Sequence, residues 1–157
     1  MENVEIERKY LLSDDSWRPL VTGRHEIVQG YLAMGQGNTV RLRRRDDKAF
    51  LTIKSRPAEG SIARFEWERE ITLSDFEALF PLCLGRAIEK TRYIVPLENG
   101  NTRLKIEIDE FHGAHEGLIF AEIELPSEAT QLSLPAFIGK EVTNDKRYYN
   151  SYLSSVQ

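Results

Sequence analysis

The chain has 157 residues, of which 41% are hydrophobic and 29% are charged. This composition predicts a single folded domain over residues 1–157 with a sizeable core. The net charge of -4 argues against a broad basic surface for nucleic acid or an anionic membrane. The only cysteine, Cys83, excludes an internal disulfide framework and favours a reducing, cytoplasmic compartment. No apolar segment approaches the roughly 20 residues of a membrane span.

Charged and apolar side chains alternate along most of the chain, as expected when successive side chains point to opposite faces of a sheet. Segment 2–12, for example, alternates charged residues with Val4 and Ile6. Gly and Asn residues between such segments indicate hairpin turns. Eight strands are predicted, at 2–12, 26–34, 39–45, 49–54, 63–73, 88–96, 102–111 and 118–125.

Helical patterns are fewer. Ser and Thr before an apolar periodic segment are typical helix caps, because their oxygens accept N–H groups of the first turn. The first helix also has Glu77 three residues after its cap, which completes a capping box. The predicted helices are 75–82, a short segment within 127–139, and 144–154, with Ser74, Ser127 and Thr143 at their starts. The fold class is therefore mainly β (α+β), with an antiparallel core and helices outside.

The polar face of the predicted strands is almost wholly ionised, and like charges are grouped by strand. Arg41, Arg43 and Arg45 lie on the polar face of one predicted strand, while Glu5 and Glu7 lie on the polar face of another. Two arrangements fit this pattern. One is an ordinary antiparallel sheet with a solvated face. The other is a closed barrel with the charged faces inward.

A charged interior would have to be neutralised, because burying unpaired charge is costly. Arginines hold phosphate oxygens through paired hydrogen bonds, and carboxylates bind hard divalent cations. Phosphates together with magnesium would therefore neutralise both sets of charges. The sequence lacks a Gly-rich phosphate loop ending in Gly-Lys-Ser or Gly-Lys-Thr. His112 and His115 lie in a Gly-containing loop and are interpreted as loop residues rather than a metal pair.

The order of the charged motifs carries a family resemblance. It begins with Glu5-Ile6-Glu7-Arg8-Lys9 and runs over essentially the whole chain. The later motifs are Val40-Arg41-Leu42-Arg43, Leu51-Thr52-Ile53-Lys54, Glu66-Trp67-Glu68, Glu89-Lys90-Thr91-Arg92-Tyr93 and Glu122-Ile123-Glu124. This series resembles the CYTH superfamily of triphosphate tunnel metalloenzymes, and its C-terminal segment resembles the small bacterial inorganic triphosphatase-like branch. The resemblance implies an eight-stranded antiparallel β-barrel tunnel, with a C-terminal helix near one tunnel mouth.

The resemblance also implies roles for individual residues. The implied triphosphate-binding residues are Lys9, Arg41, Arg43, Lys54, Lys90 and Arg92, with Lys146 added from the C-terminal segment. The implied metal ligands are Glu5, Glu7, Glu122 and Glu124, with Glu68, Glu107 and Asp109 as further tunnel acids. Glu7 is the candidate for orienting or deprotonating the attacking water, and Lys54 is the second candidate catalytic residue. The implied cofactor is Mg²⁺ or Mn²⁺.

The function implied is metal-dependent hydrolysis of inorganic triphosphate to diphosphate and phosphate. Three alternatives stay open: a class IV-type adenylate cyclase, a nucleoside or thiamine triphosphatase, and a polyphosphate-binding module without turnover. The expected partner is a small-molecule triphosphate, with no nucleic acid and no membrane. The apolar outer faces of the strands are able to support a homodimer.

Overall fold

The computed structural model describes residues 3–155, which contain nine β-strands and two α-helices. The strands are β1 Val4–Leu12, β2 Gly23–Ala33, β3 Thr39–Arg45, β4 Lys48–Lys54, β5 Ala63–Ile71, β6 Leu84–Asn99, β7 Thr102–Phe111, β8 Ile119–Glu124 and β9 Ile138–Glu141. The helices are α1 Leu73–Leu79 and α2 Asn150–Ser155, with short 3-10 helices at 18–20, 35–37, 80–82, 113–115 and 146–148. All eight predicted strands are present, with ends that differ by a few residues. None of the helices in this part of the chain is long and apolar enough to span a bilayer.

Eight strands close into an antiparallel barrel. Their hydrogen-bonded order is β5-β4-β3-β2-β6-β7-β8-β1, and β1 pairs back with β5. The closing junction joins only residues 4–6 to residues 63–65. Because side chains alternate between the two faces of each strand, closure places one set in the lumen and the other set outside. The predicted eight-stranded barrel is confirmed.

A ninth strand lies partly where a short helix was predicted. Segment 127–139 contains turns and the beginning of β9, which pairs with β1 at Tyr10 and Leu12. β9 occupies the edge of β1 that β5 leaves uncovered, and so satisfies backbone groups that would otherwise be exposed. The Glu128 carboxylate accepts hydrogen bonds from Ser61 Oγ at 2.7 Å and from the backbone N–H of Ile62 at 2.9 Å. The helix predicted here is wrong because its acidic residue binds a distant loop.

Helix α1 begins slightly earlier than the sequence pattern indicated. Thr72, rather than Ser74, is its cap: Thr72 Oγ1 accepts the N–H of Asp75 at 3.0 Å. The α-helix ends at Leu79 and continues as a 3-10 helix over 80–82. The helix was therefore predicted in the right place, but its cap was wrong.

The C-terminal helix begins later than predicted. Asp145 caps a separate 3-10 helix at 146–148, and α2 itself starts at Asn150. Thr143 does not cap a helix, since its Oγ1 accepts the backbone N–H of Lys9 at 3.1 Å. The helix predicted over 144–154 is thus divided into two short helices.

Apolar side chains fill one end of the lumen. Ile88, Phe111 and Phe120 lie on β6, β7 and β8 in phase with the inward-facing residues of those strands. They pack against Leu153 of α2. The C-terminal helix therefore covers this end of the barrel, and the charged residues occupy the rest of the lumen.

Candidate active site

The lumen contains a cavity of about 260 Å³ lined mainly by charged side chains. Its acids are Glu5, Glu7, Glu66, Glu68, Glu107, Glu122 and Glu124. Its bases are Lys9, Arg41, Arg43, Arg45, Lys54, Arg64, Arg92 and Lys105. The charged faces of the strands thus point inward. All predicted site residues line this cavity except Lys90, Asp109 and Lys146.

The strand register concentrates acids on one wall. Glu7 of β1 lies opposite Glu124 of β8, and Lys9 lies opposite Glu122. Glu107 of β7 lies opposite Glu122 from the other side. The three arginines of β3 belong to a different part of the barrel wall. The register therefore separates most of the carboxylates from the arginine cluster.

Glu5 is held between two cations where β1 meets β5. Lys54 Nζ lies 2.9 Å from Glu5 Oε1 and 3.2 Å from Glu66 Oε2. Arg64 Nε lies 3.2 Å from Glu5 Oε1. Burial opposes ionisation of Glu5, but Lys54, Arg64 and a hydrogen bond with Glu66 lower its pKa to about 2. Glu5 is therefore a carboxylate at neutral pH, and it shares both of its cations with neighbouring acids.

Glu7 is poorly compensated. Its one salt-bridge partner in residues 3–155 is Arg64, whose Nη2 lies 3.4 Å from Glu7 Oε1. Burial raises the pKa of Glu7 to about 8, and the nearby carboxylates of Glu122 and Glu5 act in the same direction. The pKa of Glu122 itself stays well below its ordinary value, because Lys9 and Arg92 outweigh the effect of burial. Without a further cation, the proton shared by this pair resides on Glu7.

The guanidinium of Arg41 is only partly hydrogen-bonded. Its Nη2 donates to Thr52 Oγ1 at 3.2 Å, and Thr52 donates in turn to Glu68 Oε2 at 2.6 Å. The Nε of Arg41 is buried and has no hydrogen-bond partner within the described residues. A buried N–H that lacks an acceptor is costly. An anion in the cavity would supply one.

Arg43 has no carboxylate partner among residues 3–155. Its Nε donates to Gln29 Oε1 at 2.8 Å, and Gln29 is fully buried. Burial, together with the positive charges of Arg41 and Arg92, lowers the pKa of Arg43 to about 9. The guanidinium therefore stays charged at neutral pH in an environment that disfavours the charge. This is the setting in which a bound polyanion is strongly stabilised.

Lys90 and Asp109 lie behind the cavity rather than in its lining. Asp109 binds Arg92 through two hydrogen bonds of 2.8 and 2.9 Å, and its Oδ2 lies 2.8 Å from Lys90 Nζ. The side chains of Lys90 and Asp109 are fully buried. The carboxylate of Asp109 is therefore occupied by two cations and does not face the cavity as a metal ligand would. Lys90 likewise supports Arg92 instead of facing a substrate.

The C-terminal segment contacts the lumen through residues other than Lys146. Lys146 is exposed and lines a shallow surface groove outside the barrel. The backbone carbonyl of Tyr148 accepts a hydrogen bond of 2.7 Å from Lys9 Nζ, and Tyr149 and Asn150 line the cavity. The expectation that Lys146 reaches the substrate is not supported by its position.

Several lining residues were missed or left without a role. Glu66, Arg64 and Glu107 follow the same two-residue period as the motif residues, so their positions were predictable from parity. Gln29 and Asn150 are uncharged and carry no periodic signal. Gln29 lies directly opposite Arg43 in the pairing of β2 with β3, and the place of Asn150 depends on the late start of α2.

Comparison with known proteins agrees with this geometry. The profile of the CYTH domain matches residues 3–155. The chain belongs to the CYTH family. A curated relative from Acetivibrio thermocellus, named inorganic triphosphatase, is 41% identical over 150 residues, covering 95% of this chain and 92% of the relative.

A second inorganic triphosphatase, from Nitrosomonas europaea, is 39% identical over 155 residues and covers 96% of both chains. The crystal structure of the inorganic triphosphatase NE1496 has a TM-score of 0.64 and 34% identity, covering 98% of this chain and 95% of that one. The CYTH barrel of this chain thus matches a solved triphosphatase structure over nearly its full length.

The acids of the CYTH barrel suit a divalent cation by their chemistry. Glu5, Glu7, Glu122 and Glu124 offer carboxylate oxygens on two paired strands, and Glu7 lacks sufficient positive charge nearby. Within residues 3–155, however, no three His, Cys, Asp or Glu side chains are grouped closely enough to hold a metal ion. Mg²⁺ is commonly held by one or two carboxylates plus substrate phosphates and water. The acid wall fits that mode of binding, in which the substrate supplies the remaining ligands.

Proposed function

We propose that this chain hydrolyses inorganic triphosphate to diphosphate and phosphate inside the barrel, with Mg²⁺ or Mn²⁺ as cofactor. The observation that carries the proposal is the closed lumen in which Arg41 and Arg43 lack sufficient acceptors while Glu7 lacks sufficient positive charge. A triphosphate chain and a divalent cation relieve both deficits. The two relatives named inorganic triphosphatase, at 41% and 39% identity, support the same reaction.

The cations of the lumen bind the substrate in this proposal. Arg41 and Arg43 hold phosphate oxygens through their free N–H groups, and Lys9, Lys54 and Arg92 add charge along the chain. The paired N–H donors of a planar guanidinium match two oxygens of one phosphate group, while lysines act as point charges. In-line phosphoryl transfer depends mainly on positioning and charge stabilisation, which this set of residues provides.

Glu7 accepts the proton of the attacking water. Glu7 acts as a base only in its ionised form, which positive charge in the occupied site favours, because without such charge burial raises its pKa to about 8. Lys54 stabilises the charge that develops on the reacting phosphoryl group. When bound by Glu5, Glu7, Glu122 and Glu124, Mg²⁺ or Mn²⁺ would neutralise phosphate oxygens and lower the pKa of a bound water.

The lining favours a substrate that is charged along its whole length. Most side chains facing the cavity are ionised, and the far end of the lumen is filled by Phe111, Phe120 and Leu153. A nucleoside would bring an uncharged base and ribose into this charged space. A linear inorganic triphosphate brings only phosphate groups. The other parts of the proposal are a cytoplasmic location, a homodimer through the outer apolar faces, and no nucleic acid partner.

The test is an assay of the purified full chain with tripolyphosphate, ATP and thiamine triphosphate, each with Mg²⁺ or Mn²⁺. Phosphate release and cyclic AMP are measured in parallel. We expect hydrolysis of tripolyphosphate to exceed that of both other substrates, and chelation of the cation to abolish it. Cyclic AMP from ATP would instead identify a cyclase. Binding of tripolyphosphate without any product would identify a binding module.

A matched pair of variants links activity to the lumen. Arg43→Gln removes a lumen cation, whereas Arg103→Gln removes an exposed arginine that pairs with Glu98 on the surface. We expect only the first to lose substrate binding. Equal activity in the two variants would show that hydrolysis does not take place in the lumen.

A further inference from the structure

The first residue of helix α2 is hydrogen-bonded into the wall of the barrel. Asn150 Oδ1 accepts a hydrogen bond of 2.9 Å from Lys90 Nζ and one of 3.2 Å from Gln29 Nε2. Lys90 and Gln29 are fully buried and lie on different strands, β6 and β2. Asn150 also lines the cavity. One amide from the C-terminal helix therefore joins two strands and faces the site.

The direction of the hydrogen bonds in this network is fixed by Arg43. A guanidinium can only donate, so Gln29 must present its oxygen to Arg43 Nε, at 2.8 Å. The amide nitrogen of Gln29 must then point to Asn150, whose oxygen also faces Lys90. Reversing either amide would set donor against donor. The chain Arg43–Gln29–Asn150–Lys90 is consequently fixed in one arrangement.

This arrangement determines how Arg43 faces the cavity. Its Nε is bound by Gln29, and its remaining N–H donors have no acceptor within the described residues. A guanidinium anchored through Nε keeps its terminal nitrogens in one orientation, which limits the entropy lost when an anion binds. Lys90 is anchored by the same amide of Asn150, and it supports Arg92 through Asp109.

We infer that Gln29 and Asn150 are positioning residues for triphosphate binding, and that the C-terminal helix thereby completes the substrate site. The inference rests on the proposed function for the identity of the ligand. Neither residue needs to touch the substrate: Gln29 acts through Arg43, and Asn150 acts through Gln29 and Lys90. The covering of the barrel end by Leu153 is a separate contribution of the same helix.

The experiment is a double-mutant cycle with Gln29→Met and Asn150→Leu, which remove the hydrogen bonds with little change in volume. Hydrogen bonds to charged groups contribute about 1.5 to 3 kcal/mol, so each single variant should raise the KM for tripolyphosphate roughly 10-fold or more. We expect kcat to change much less. Because both residues act through one network, the double variant should be scarcely worse than the weaker-binding single variant.

Ser154→Ala is the matched control on the same helix. Ser154 Oγ donates to the backbone carbonyl of Arg86 at 2.7 Å, so this variant weakens the docking of α2 without touching the network. We expect it to lower the melting temperature and leave KM unchanged. If Ser154→Ala raises KM as much as Asn150→Leu does, or if the two network variants are additive, Gln29 and Asn150 do not act as positioning residues.

Calorimetric binding of tripolyphosphate to metal-free protein separates this inference from the proposed function. Wild type that binds tripolyphosphate in this titration but releases no phosphate after Mg²⁺ or Mn²⁺ is added would contradict the proposed hydrolysis, and the mutant cycle would then be measured as Kd instead of KM. If Gln29→Met does not fold, Asn150→Ala gives the same test at a half-buried position, where a substitution disturbs the packing less. Unchanged Kd and unchanged KM in a folded Asn150→Ala protein would overturn the inference.

Discussion

Asp109 forms a bidentate ion pair with Arg92, with Nε–Oδ1 and Nη2–Oδ2 distances of 2.8 and 2.9 Å. Lys90 Nζ lies 2.8 Å from Oδ2 of the same carboxylate. One buried anion therefore compensates two buried cations. Burial opposes ionisation of Asp109, but the two cations outweigh it and hold its pKa below the ordinary value. In the structure this acid supports the cations of the site and does not line the cavity.

Removing Asp109 should destabilise the protein severely. Breaking a buried ion pair by deleting one partner leaves an uncompensated charge and costs about 3 to 5 kcal/mol. We expect Asp109→Ala to lower the free energy of unfolding by that amount in a urea titration. Glu98→Ala is the control, because Glu98 pairs with Arg103 on the surface, where such pairs contribute at most about 1 kcal/mol. Equal stability of the two variants would contradict the structural role of Asp109.

Glu7→Gln should lower turnover while leaving the fold intact. The amide has nearly the same shape as the carboxyl group but cannot accept a proton from water. General-base catalysis typically contributes about 100- to 10,000-fold, so we expect kcat for tripolyphosphate to fall within that range. Circular dichroism and thermal melting provide the check on folding. Wild-type kcat in a folded Glu7→Gln protein would remove Glu7 from the reaction.

The stability of the metal-free protein should fall as pH rises from about 5 to 8. Folded Glu7 keeps its proton up to a pKa of about 8, whereas the unfolded chain releases it near the ordinary value of 4.5. The folded state therefore binds more protons in this window, and raising the pH favours unfolding. Glu66, whose pKa burial raises to about 7, adds a contribution of the same sign, whereas Lys90, whose pKa burial lowers to about 7, opposes both only above about pH 7.

The measurement is the melting temperature across this pH range in the presence of a chelator. Glu7→Gln should make the decline shallower, without abolishing it, because Glu66 still titrates. A melting temperature that rises from pH 5 to pH 7 would be inconsistent with a protonated Glu7 in the folded protein.

Arg64 occupies the space between two predicted metal ligands. It lies 3.2 Å from Glu5 and 3.4 Å from Glu7, and so acts as an internal counter-cation. A divalent ion must compete with it. We expect Arg64→Gln to strengthen Mn²⁺ binding about fivefold, as loss of about 1 kcal/mol of competing attraction would produce. Electron paramagnetic resonance of free Mn²⁺ gives the affinity directly.

Arg103→Gln again serves as the control, since its charge lies on the outer surface. It should leave the affinity for Mn²⁺ unchanged. Weaker Mn²⁺ binding in Arg64→Gln than in wild type would show that the arginine assists the cation instead of competing with it.

Strand period allowed most of the architecture and much of the site to be predicted. Alternation located the eight barrel strands, and a shared parity placed Glu5, Glu7, Arg41 and Arg43 on the same face. Parity gives the face of a residue but not its depth along the barrel. Asp109 has the same parity as Glu107, yet it lies nearer the filled end and is enclosed by Arg92 and Lys90.

The failures arose where distant contacts override local signals. Ser127 and Glu128 resemble a helix start, but Glu128 binds the loop around Ser61 instead. The network of Gln29 and Asn150 had no local signal, because uncharged amides gain their roles only from the partners that the fold supplies. Charge patterning thus predicts the lining of such a barrel better than it predicts its supports.

Because the barrel closes only through residues 4–6 and residues 63–65, Glu5 contributes to the closure of the barrel. Its ion pairs with Lys54 and Arg64 span the seam at which the sheet meets itself. A cation that draws Glu5 away from these partners would weaken the pairing of β1 with β5 that closes the barrel. Loss of activity in a Glu5 variant can therefore come from opening of the barrel as well as from loss of a site residue. Hydrogen-exchange protection of the backbone amides at 4–6 measures the opening alone.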